Sequence, residues 1–553
     1  MRKKRLYCAL SALLCTAILI PCLFAPASAV NGYGQSGLPE IVKVGLKYAN
    51  SSVDSANLAN DADYGFLLGW YDSSDRFNQL GELSNKRITI QVDKTSHVQL
   101  GTTYQSFEAA ANAANDYSGA FVAYVNGSYV VRVGSYTSLA DAQSAAGNQP
   151  AAPTPSSSSN EKGYSIYNGT NYSTVSSVYV ITSDGLSTVT GNAACITAEG
   201  EDTASSTARS APASVSGGSA VGESSTCMTI TDTNSGAILF EYDGKGEALA
   251  IQPINNVDTP QAWFLGNLYR GGFRYSRSTN YNQGGRIAVT NFVPMEEYVA
   301  GVLPYELSAD WPMEALKAGA VCARSFAITS HNHQTFDVCN TTDCQVYRGV
   351  YTGKSAENIT SAVRATEGIC AYYNGAPIEA VYCAGTGGYT ESALNTWSVD
   401  RGYLQAKVDE FDSVDSYPGN FWSYDVTSSQ VTSMLRAAGK NCSTIVGMAV
   451  TRWTEIGNVL EVSFKDDNGR TFTLTKDDVR LLRNISGVTY MSRRFSITHG
   501  ASSDLGYATQ WNITGSGNGH NVGLSQWGAK AMANRGYDYE DILRYYFTGI
   551  DIY

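Results

Sequence analysis

The alternation of apolar and polar positions predicts a small α+β module near the start of the chain, residues 36–147. Some runs alternate with the period of a strand, and others are alanine-rich and helical in pattern. Asn126-Gly127 separates two strand-like runs, and this dipeptide is typical of tight β-hairpins. The pattern predicts strands over 88–92, 121–125 and 129–136 and helices over 106–115 and 139–146. This order is typical of a ferredoxin-like module.

A change in composition then predicts a linker and a second, strand-rich segment. Residues 148–162 are rich in Pro, Ser and Ala without an apolar period, so we expect an extended and flexible tether. Residues 163–261 contain strand-like runs at 177–181 and 238–242, and the polar run 199–225 is expected to be a loop or a disordered insert. No chemistry can be assigned to this segment from its residues.

The C-terminal region, residues 262–553, contains the segment that is most informative about function. We expect Asp310 to be the N-cap of a long helix, with Pro312 in its first turn. Lys317 and Arg324 are seven positions apart and therefore share one face of this helix. Another face is a stripe of mostly small residues: Ala315, Leu316, Gly319, Ala320, Ala323, Phe326 and Ala327. The whole chain is thus predicted to be a multidomain α+β protein, with a ferredoxin-like module, a β-rich middle and a mixed α+β catalytic domain.

The first 29 residues have the pattern of an export signal. Basic residues at positions 2–5 precede an apolar run, and Pro26-Ala27-Ser28-Ala29 resembles a signal peptidase site. The alternative is an uncleaved membrane anchor, but Pro21 leaves only about 15 unbroken apolar residues, which is short for a span. We therefore expect a secreted or cell-wall associated protein, membrane-anchored if the signal is retained.

Composition favours a carbohydrate partner over a nucleic acid. Charged residues are only 16% of the chain, tyrosine is abundant at 36 residues, and the net charge is -12. A polyanion would be repelled by this charge, whereas tyrosine-rich neutral surfaces suit sugars. We predict no nucleic acid partner.

The cysteines leave two alternatives open. Three of the 11 lie in the signal, so the remaining eight could form disulfides in an exported chain, although their pairing cannot be read from the sequence. Two imidazoles and two thiols, His331, His333, Cys339 and Cys344, fall within 14 residues and could reach one tetrahedral zinc. On spacing alone, a Cys339–Cys344 disulfide is equally compatible.

Two loops and one carboxylate are candidates for chemistry. Glu306 lies among apolar neighbours, which would keep its carboxyl protonated to higher pH and suit a general acid; the alternative is a solvated loop residue. The glycines 387–388 would let a polymer approach the backbone, and Thr386 and Thr390 could hydrogen-bond sugar hydroxyls, although an ordinary tight turn has the same pattern. His520 is either a polar cleft residue or a satisfied core histidine.

Three blocks in one order resemble the stage II sporulation protein D family, which includes the amidase enhancers. The resemblance spans roughly 264–553. The later blocks are 387–391 and 519–529, in which Asn521 stands where many relatives have glycine, so the backbone there is expected to differ. The first block matches at Val293-Pro294, Glu296, Tyr298, Gly301-Val302, Glu306, Ala315-Leu316-Lys317-Ala318 and Ala323-Arg324.

This resemblance implies a lytic transglycosylase of peptidoglycan glycan strands, with Glu306 as the catalytic acid and base and Glu296 and Glu297 as rivals. It also implies a structural zinc on His333, Cys339 and Cys344, with His331, Asp343 or Cys383 as the fourth ligand. The alternative is a wall-binding activator of a partner amidase that cleaves no bond. The expected substrate-binding residues are Lys317, Arg324, Gln345, Thr386, Gly387, Gly388, Thr390, His520 and Gln526.

Residues 129–136 before Ala140-Asp141-Ala142 resemble the sporulation-related repeat domain. The resemblance implies binding of glycan strands that have lost their stem peptides, with Tyr129 and Tyr136 as stacking faces. The alternative is a ferredoxin-like module without this function.

Overall fold

The structure is a computed structural model that describes residues 38–60, 64–147, 178–182, 185–189, 218–221, 227–244, 246–255, 259–277, 285–330, 333–413, 417, 419–502 and 508–553. The predicted signal, the linker 148–162 and most of the polar run 199–225 lie outside these residues.

The first part of the chain contains eight strands and two helices, and the three strands and two helices predicted from the sequence agree closely with their observed bounds. Ser106 caps the first helix by accepting from Ala109 N, and Asn126 and Gly127 both adopt positive φ, as a tight hairpin turn requires. The elements are β1 (Ile41–Lys47), β2 (Ser55–Ala59), β3 (Phe66–Tyr71), β4 (Phe77–Leu83), β5 (Arg87–Val92), β6 (Ser96–Tyr104), α1 (Phe107–Ala114), β7 (Ala120–Val125), β8 (Ser128–Tyr136) and α2 (Leu139–Gly147).

Ten further strands lead to the candidate catalytic region. They are β9 (Val178–Thr182), β10 (Gly185–Val189), β11 (Gly218–Val221), β12 (Met228–Asp232), β13 (Ile238–Asp243), β14 (Leu249–Pro253), β15 (Gln261–Phe264), β16 (Asn267–Arg270), β17 (Gly272–Arg277) and β18 (Ile287–Pro294).

A ferredoxin-like unit is present, but its limits differ from those predicted. The elements β6-α1-β7-β8-α2-β11 form an antiparallel sheet in the order β11-β6-β8-β7, which is the ferredoxin-like arrangement. The unit therefore begins near residue 96 rather than 36. Its last strand comes from residues 218–221, beyond the predicted linker.

The prediction that 36–147 is a separate module is wrong in one respect: its strands share sheets with later strands. β7 pairs in parallel with β13, which extends the ferredoxin-like sheet into ten strands, in the order β11-β6-β8-β7-β13-β12-β5-β2-β15-β16. A second sheet has the order β19-β1-β18-β17-β14-β3-β4, in which β19 is Val338–Cys339, and it likewise combines early and late strands. Backbone hydrogen bonds between residues far apart in sequence thus join the predicted module to the middle segment.

Tyr136 is buried in the core, which leaves it no face for stacking on a sugar. Tyr129 is half-buried against the core: its hydroxyl donates to Leu80 O at 2.8 Å, and its ring packs against Phe107 and Tyr124.

The C-terminal region mixes helices with short strands. Its elements are α3 (Met295–Glu306), α4 (Met313–Thr329), β19 (Val338–Cys339), α5 (Ala356–Ala365), β20 (Ala371–Tyr373), β21 (Ala376–Pro377), β22 (Tyr382–Cys383), α6 (Ala393–Trp397), β23 (Phe421–Thr427), α7 (Ser428–Ala437), β24 (Ile445–Trp453), β25 (Val459–Asp466), β26 (Thr471–Thr475), a 3-10 helix (Lys476–Asn484), β27 (Arg494–His499), β28 (Gln510–Ser516), β29 (Leu524–Ser525), α8 (Gln526–Asn534), α9 (Tyr539–Tyr546) and β30 (Asp551–Ile552).

Two hydrophobic cores divide this part of the chain. The sheets β23-β28-β27 and β24-β25-β26, with α7, enclose their own core between residues 422 and 513. The helices α3, α4, α5, α8 and α9 pack into the larger core. This core also contains residues of the two sheets that combine early and late strands. The α+β class is confirmed. Among the described residues, no helix is long and apolar enough to cross a membrane.

The start of α4 differs from the prediction. Pro312 is the N-cap residue and the helix begins at Met313, so Pro312 precedes the first turn. Asp310 does not cap the helix; its carboxylate accepts from Ser308 Oγ at 2.7 Å.

Candidate functional site

Glu306 is the last residue of α3, in a half-buried position rather than in a solvated loop. Its Oε1 accepts from the Val346 N–H at 2.8 Å, and its Oε2 accepts from Gln526 Nε2 at 3.4 Å. Burial raises the pKa of the Glu306 carboxyl, an effect that these two donors oppose. A carboxylate at the C-terminal end of a helix also meets the negative end of the helix dipole. The local field therefore favours the protonated acid.

The pocket at Glu306 has mostly apolar walls and is narrow, with a cavity volume of about 10 Å³, roughly the space of one water molecule. The pairing of β22 with β29 sets Tyr382 opposite Leu524 and next to Gln526. Gly319 allows α4 to approach α3 closely, because a Cβ there would lie 2.4 Å from Leu307 Cδ1. The lining residues are Val302, Leu303, Glu306, Leu307, Gly319, Ala323, Tyr382, Leu524 and Gln526.

The two rival carboxylates of α3 are paired with arginines. Glu296 accepts from Arg324 Nε at 2.9 Å, and Glu297 accepts from Arg270 at 2.8 Å. Within the described part of the chain, Glu306 has no basic side chain at ion-pair distance. Of the three carboxylates, Glu306 alone combines an apolar pocket with the absence of a cation, which distinguishes it as the candidate acid.

The cations predicted to bind substrate have structural partners instead. Arg324 is 1% exposed; besides its ion pair with Glu296 it donates to Ile369 O at 2.8 Å. Lys317 pairs with Glu314 at 2.7 Å. Arg324 is buried, and Lys317 is not on the helix face that lines the Glu306 pocket, so substrate contact by either residue stays a prediction.

Gln345 is a buried positioning residue rather than an exposed contact. Its Oε1 accepts from the Tyr298 hydroxyl at 2.8 Å, and its Nε2 donates to the Tyr382 hydroxyl at 2.9 Å. This chain of hydrogen bonds connects α3 to β22. It also fixes the backbone just before Val346, whose N–H is bound to Glu306.

The threonines of the glycine-rich block are also buried. Thr386 Oγ1 donates to Asp409 at 2.8 Å, and the Asp412 carboxylate accepts from the backbone N–H groups of Thr386 and Gly387. Thr390 is 1% exposed and donates to Gln405 O at 3.1 Å. A buried carboxylate pair thus holds the turn from within. That these threonines bind sugar stays a prediction. Gly387 is buried with them, and Gly388 is half-buried at positive φ.

His520 and Asn521 lie at the entry to β29. Burial lowers the pKa of His520 to about 4, and Arg480 adds to this effect, so the imidazole is neutral at physiological pH. Its ring packs edge-on against Trp397 at 5.1 Å. Asn521 has φ of 64°, the left-handed conformation that glycine readily adopts, so the expected difference in backbone geometry is absent.

Three of the proposed metal ligands converge. One donor atom from each of His333, Cys339 and Cys344 lies within 4.8 Å of the others, and His333 Nε2 is 3.3 Å from Cys344 Sγ. Cys339 and Cys344 are not joined by a disulfide. A set of one imidazole and two thiols matches the donors that zinc prefers.

Of the three candidates for the fourth zinc ligand, two lie apart from the three converging residues. Cys383 lies against Gly519, apart from this group, and Asp343 is exposed and outside it. His331 lies outside the described residues.

Comparisons with known proteins identify the family of this region. The profile of the family described as "Stage II sporulation protein", SpoIID, matches residues 283–373, which include Glu306 and the three converging ligands. The chain belongs to the stage II sporulation protein D family.

Relatives of this family match about half of the chain. An uncharacterised protein of Brachyspira hyodysenteriae is 35% identical over 269 residues, which are 48% of this chain and 68% of that protein. The amidase enhancer of Bacillus subtilis is 31% identical, over 45% of this chain and 39% of its own length. Stage II sporulation protein D of the same species is 28% identical, over 47% of this chain and 74% of its own length.

This stage II sporulation protein D domain contains an aromatic cluster that the sequence reasoning missed. Trp311, five residues after Glu306, and Trp527, next to Gln526, have ring centroids 4.9 Å apart. Tyr417 stacks on Trp527 at 4.9 Å. The sequence does show a tryptophan shortly after each of two candidate site residues, Glu306 and Gln526. It does not show that the two tryptophans are in contact, because that contact depends on the tertiary fold.

Proposed function

We propose that this chain is a peptidoglycan lytic transglycosylase that cleaves the bond between N-acetylmuramic acid and N-acetylglucosamine. The observation that carries the proposal is the half-buried Glu306, whose pKa is raised by burial in an apolar pocket and which lacks a cation among the described residues. Such a carboxyl can donate a proton near neutral pH, as a general acid must.

In the proposed mechanism, Glu306 first protonates the glycosidic oxygen, and the bond between that oxygen and the anomeric carbon breaks. The resulting carboxylate then takes the proton from the C6 hydroxyl of the muramic residue. The C6 oxygen bonds to the anomeric carbon and gives a 1,6-anhydro end, while Glu306 regains its proton. Because the nucleophile is internal, one carboxylate serves both steps, unlike the pair in hydrolases.

The neighbours of Glu306 suit this cycle. The Val346 N–H stabilises the anionic form of Glu306 after proton transfer. The Gln526 amide can donate its N–H to the carboxylate or, after rotation, accept from the protonated acid through its oxygen.

A second function is motivated by one comparison. A relative at 31% identity is named an amidase enhancer, so this chain could bind the wall and activate a partner amidase without cleaving bonds itself. The two functions predict different products for the purified protein.

We further propose that His333, Cys339 and Cys344 hold a structural zinc in an exported protein. A zinc would supply a tight crosslink of the segment 333–344 and would take no part in the reaction. The geometry that supports this role is the adjacency of Cys344 to Gln345 and Val346, which position Glu306. Export is supported by the pattern of residues 1–29.

The test is digestion of intact and peptide-stripped glycan by the purified chain, with products identified by mass spectrometry. We expect 1,6-anhydro products from the wild type and a loss of at least about 10²-fold in Glu306→Gln, since general acid–base catalysis contributes this much or more. Glu357→Gln, an exposed carboxylate on α5, is the matched control and should be fully active.

Full activity of Glu306→Gln would remove Glu306 from the mechanism. A wild type that releases no anhydro product but stimulates an added amidase would favour the second function.

A further inference from the structure

A second group of metal-ligand side chains lies in the first part of the chain, outside the region that matches the family. One donor atom from each of Asp93, His97 and Glu241 lies within 4.8 Å of the others, and all three residues are buried. His97 is on β6, Asp93 lies just before that strand, and Glu241 is on β13. The group therefore connects the ferredoxin-like unit to the middle segment.

In both Asp93 and His97, the protein itself holds one of the two polar atoms. Thr95 donates its backbone N–H and its hydroxyl to Asp93 Oδ1, each at 2.9 Å. His97 Nδ1 lies 2.7 Å from Gly134 O, and because a carbonyl oxygen can only accept, Nδ1 carries a proton. Metal ligands are typically held in this way, with the outer atom hydrogen-bonded and the inner atom left for the ion.

Glu241 is held in the same manner, and one of its oxygens remains over. Its Oε1 accepts from Arg132. Its Oε2 is buried and accepts no hydrogen bond of ordinary geometry from the described part of the chain, although the Cys227 thiol lies beside the carboxylate. Burying a carboxylate oxygen without a donor is unfavourable, so Oε2 indicates that a cation belongs beside it.

The inner atoms of Asp93 and His97 also require a cation. His97 Nε2 lies 2.8 Å from Asp93 Oδ2, and the nearby Thr95 hydroxyl directs its proton to Asp93 Oδ1. Since Nδ1 carries the proton of a neutral ring, Nε2 presents a lone pair to a carboxylate oxygen, which is repulsive unless the two atoms share a cation. A second proton on His97 would remove this repulsion but would leave Glu241 Oε2 without a partner. One metal ion would satisfy all three atoms.

We propose that Asp93 Oδ2, His97 Nε2 and Glu241 Oε2 bind a manganese(II) ion. Bonds of about 2.1 Å to a small divalent ion place its ligand atoms about 3–4 Å apart, close to the spacing of this group. Two carboxylates favour a harder ion than zinc, whereas the imidazole disfavours magnesium and calcium, which prefer oxygen ligands.

The ion would be structural rather than catalytic. All three ligands are buried, so a polymer substrate cannot reach them. The ion would join β6 to β13 and so reinforce the connection between the first part of the chain and the middle segment. This inference does not depend on the proposed function.

The test counts the manganese that the purified chain retains. The protein is refolded from denaturant with Mn²⁺ and one equivalent of Zn²⁺ and is then desalted, because refolding lets the ion reach a site that is closed in the folded state. Elemental analysis should find about one manganese per chain. Its electron paramagnetic resonance spectrum should differ from that of the free aqua ion.

Three variants assign this ion to the group. His97→Gln and Asp93→Asn should each lose the manganese without a change in zinc content, because neither residue belongs to the proposed zinc site. Glu108→Gln, which alters an exposed carboxylate on α1, is the matched control and should retain the manganese.

Thermal unfolding followed by circular dichroism separates loss of the ion from loss of the fold. Adding Mn²⁺ to a refolding buffer that already contains Zn²⁺ should raise the melting temperature of the wild type and of Glu108→Gln, since an ion that binds only the folded state stabilises it. The same addition should not raise the melting temperature of His97→Gln.

A folded wild type that holds no manganese would overturn the inference, and a protonated His97 paired with Asp93 would then account for their contact. Manganese that remains in both His97→Gln and Asp93→Asn would overturn it as well.

Discussion

At the residue scale, Glu306 illustrates what a sequence can and cannot reveal about a site. Its apolar neighbours predicted a carboxyl with a raised pKa, and burial does raise it. Its two hydrogen-bond donors could not be predicted, because Val346 and Gln526 are 40 and 220 positions away. The partners of Thr386 could not be predicted for the same reason, because a polar loop sequence does not reveal that its hydroxyl will contact the buried Asp409 and Asp412.

The raised pKa of Glu306 predicts a pH-dependent cost in stability. The folded protein retains a proton on Glu306 above the ordinary pKa of 4.5, where the unfolded chain has released it. Stability due to this group is therefore lost as the pH rises from 4.5 through the folded pKa. Glu306→Gln should then unfold at a higher temperature than the wild type at pH 7, with the difference shrinking below pH 4.5.

Thermal unfolding followed by circular dichroism at several pH values checks this, with Glu357→Gln as a surface control. A difference between Glu306→Gln and the wild type that is the same at pH 4 and pH 7 would contradict the raised pKa.

At the element scale, local patterns predicted helices and hairpins well and their partners poorly. The helix expected after Asp310 and the hairpin at Asn126-Gly127 are set by residues close in sequence. Both are present, although the helix begins at Met313, later than expected. The partner of Arg324 could not be predicted, because a helical repeat gives the face of Arg324 but not the presence of Glu296 opposite it. Gly301 similarly permits contact with the segment around Tyr347, since a Cβ there would lie 2.5 Å from that ring.

Because the proposed zinc ligands and Val346 lie in one segment, residues 333–346, we expect metal binding to affect the position of Glu306. We expect about one zinc per chain by elemental analysis and its loss in Cys344→Ser. Removing the metal should lower the melting temperature and loosen the backbone that holds Val346 against Glu306. Activity should therefore fall, although none of the three metal ligands lines the Glu306 pocket.

Cys322→Ser, a buried cysteine of α4 outside the ligand group, is the control and should retain zinc. Zinc-free protein with a mapped Cys339–Cys344 disulfide would contradict the assignment.

At the scale of the whole molecule, strand pairing over long sequence distances overrides the boundaries suggested by composition. The Pro/Ser/Ala run at 148–162 suggested a tether between two domains, but it is followed by strands that return to the first sheets. A buried ion pair reinforces this connection, because Arg132 on β8 meets Glu241 on β13. Only tertiary contacts contain this information, and no local pattern reports which strand completes a sheet.

This architecture predicts the effect of removing the N-terminal part of the chain. A tethered module could be deleted with little effect on cleavage of short soluble oligosaccharides. Here the deletion would remove β1, which pairs with β18 immediately before α3, and would also remove β5 and β7, which pair with the later strands β12 and β13. A chain that starts at residue 148 should therefore lose its cooperative thermal transition and its cleavage of short and long substrates alike. A chain that starts at residue 38, the first described residue, is the matched control and should keep both. If the shorter chain instead unfolded cooperatively and cleaved short oligosaccharides at the rate of the control, the shared sheets would be dispensable and residues 38–147 would be a tethered module after all.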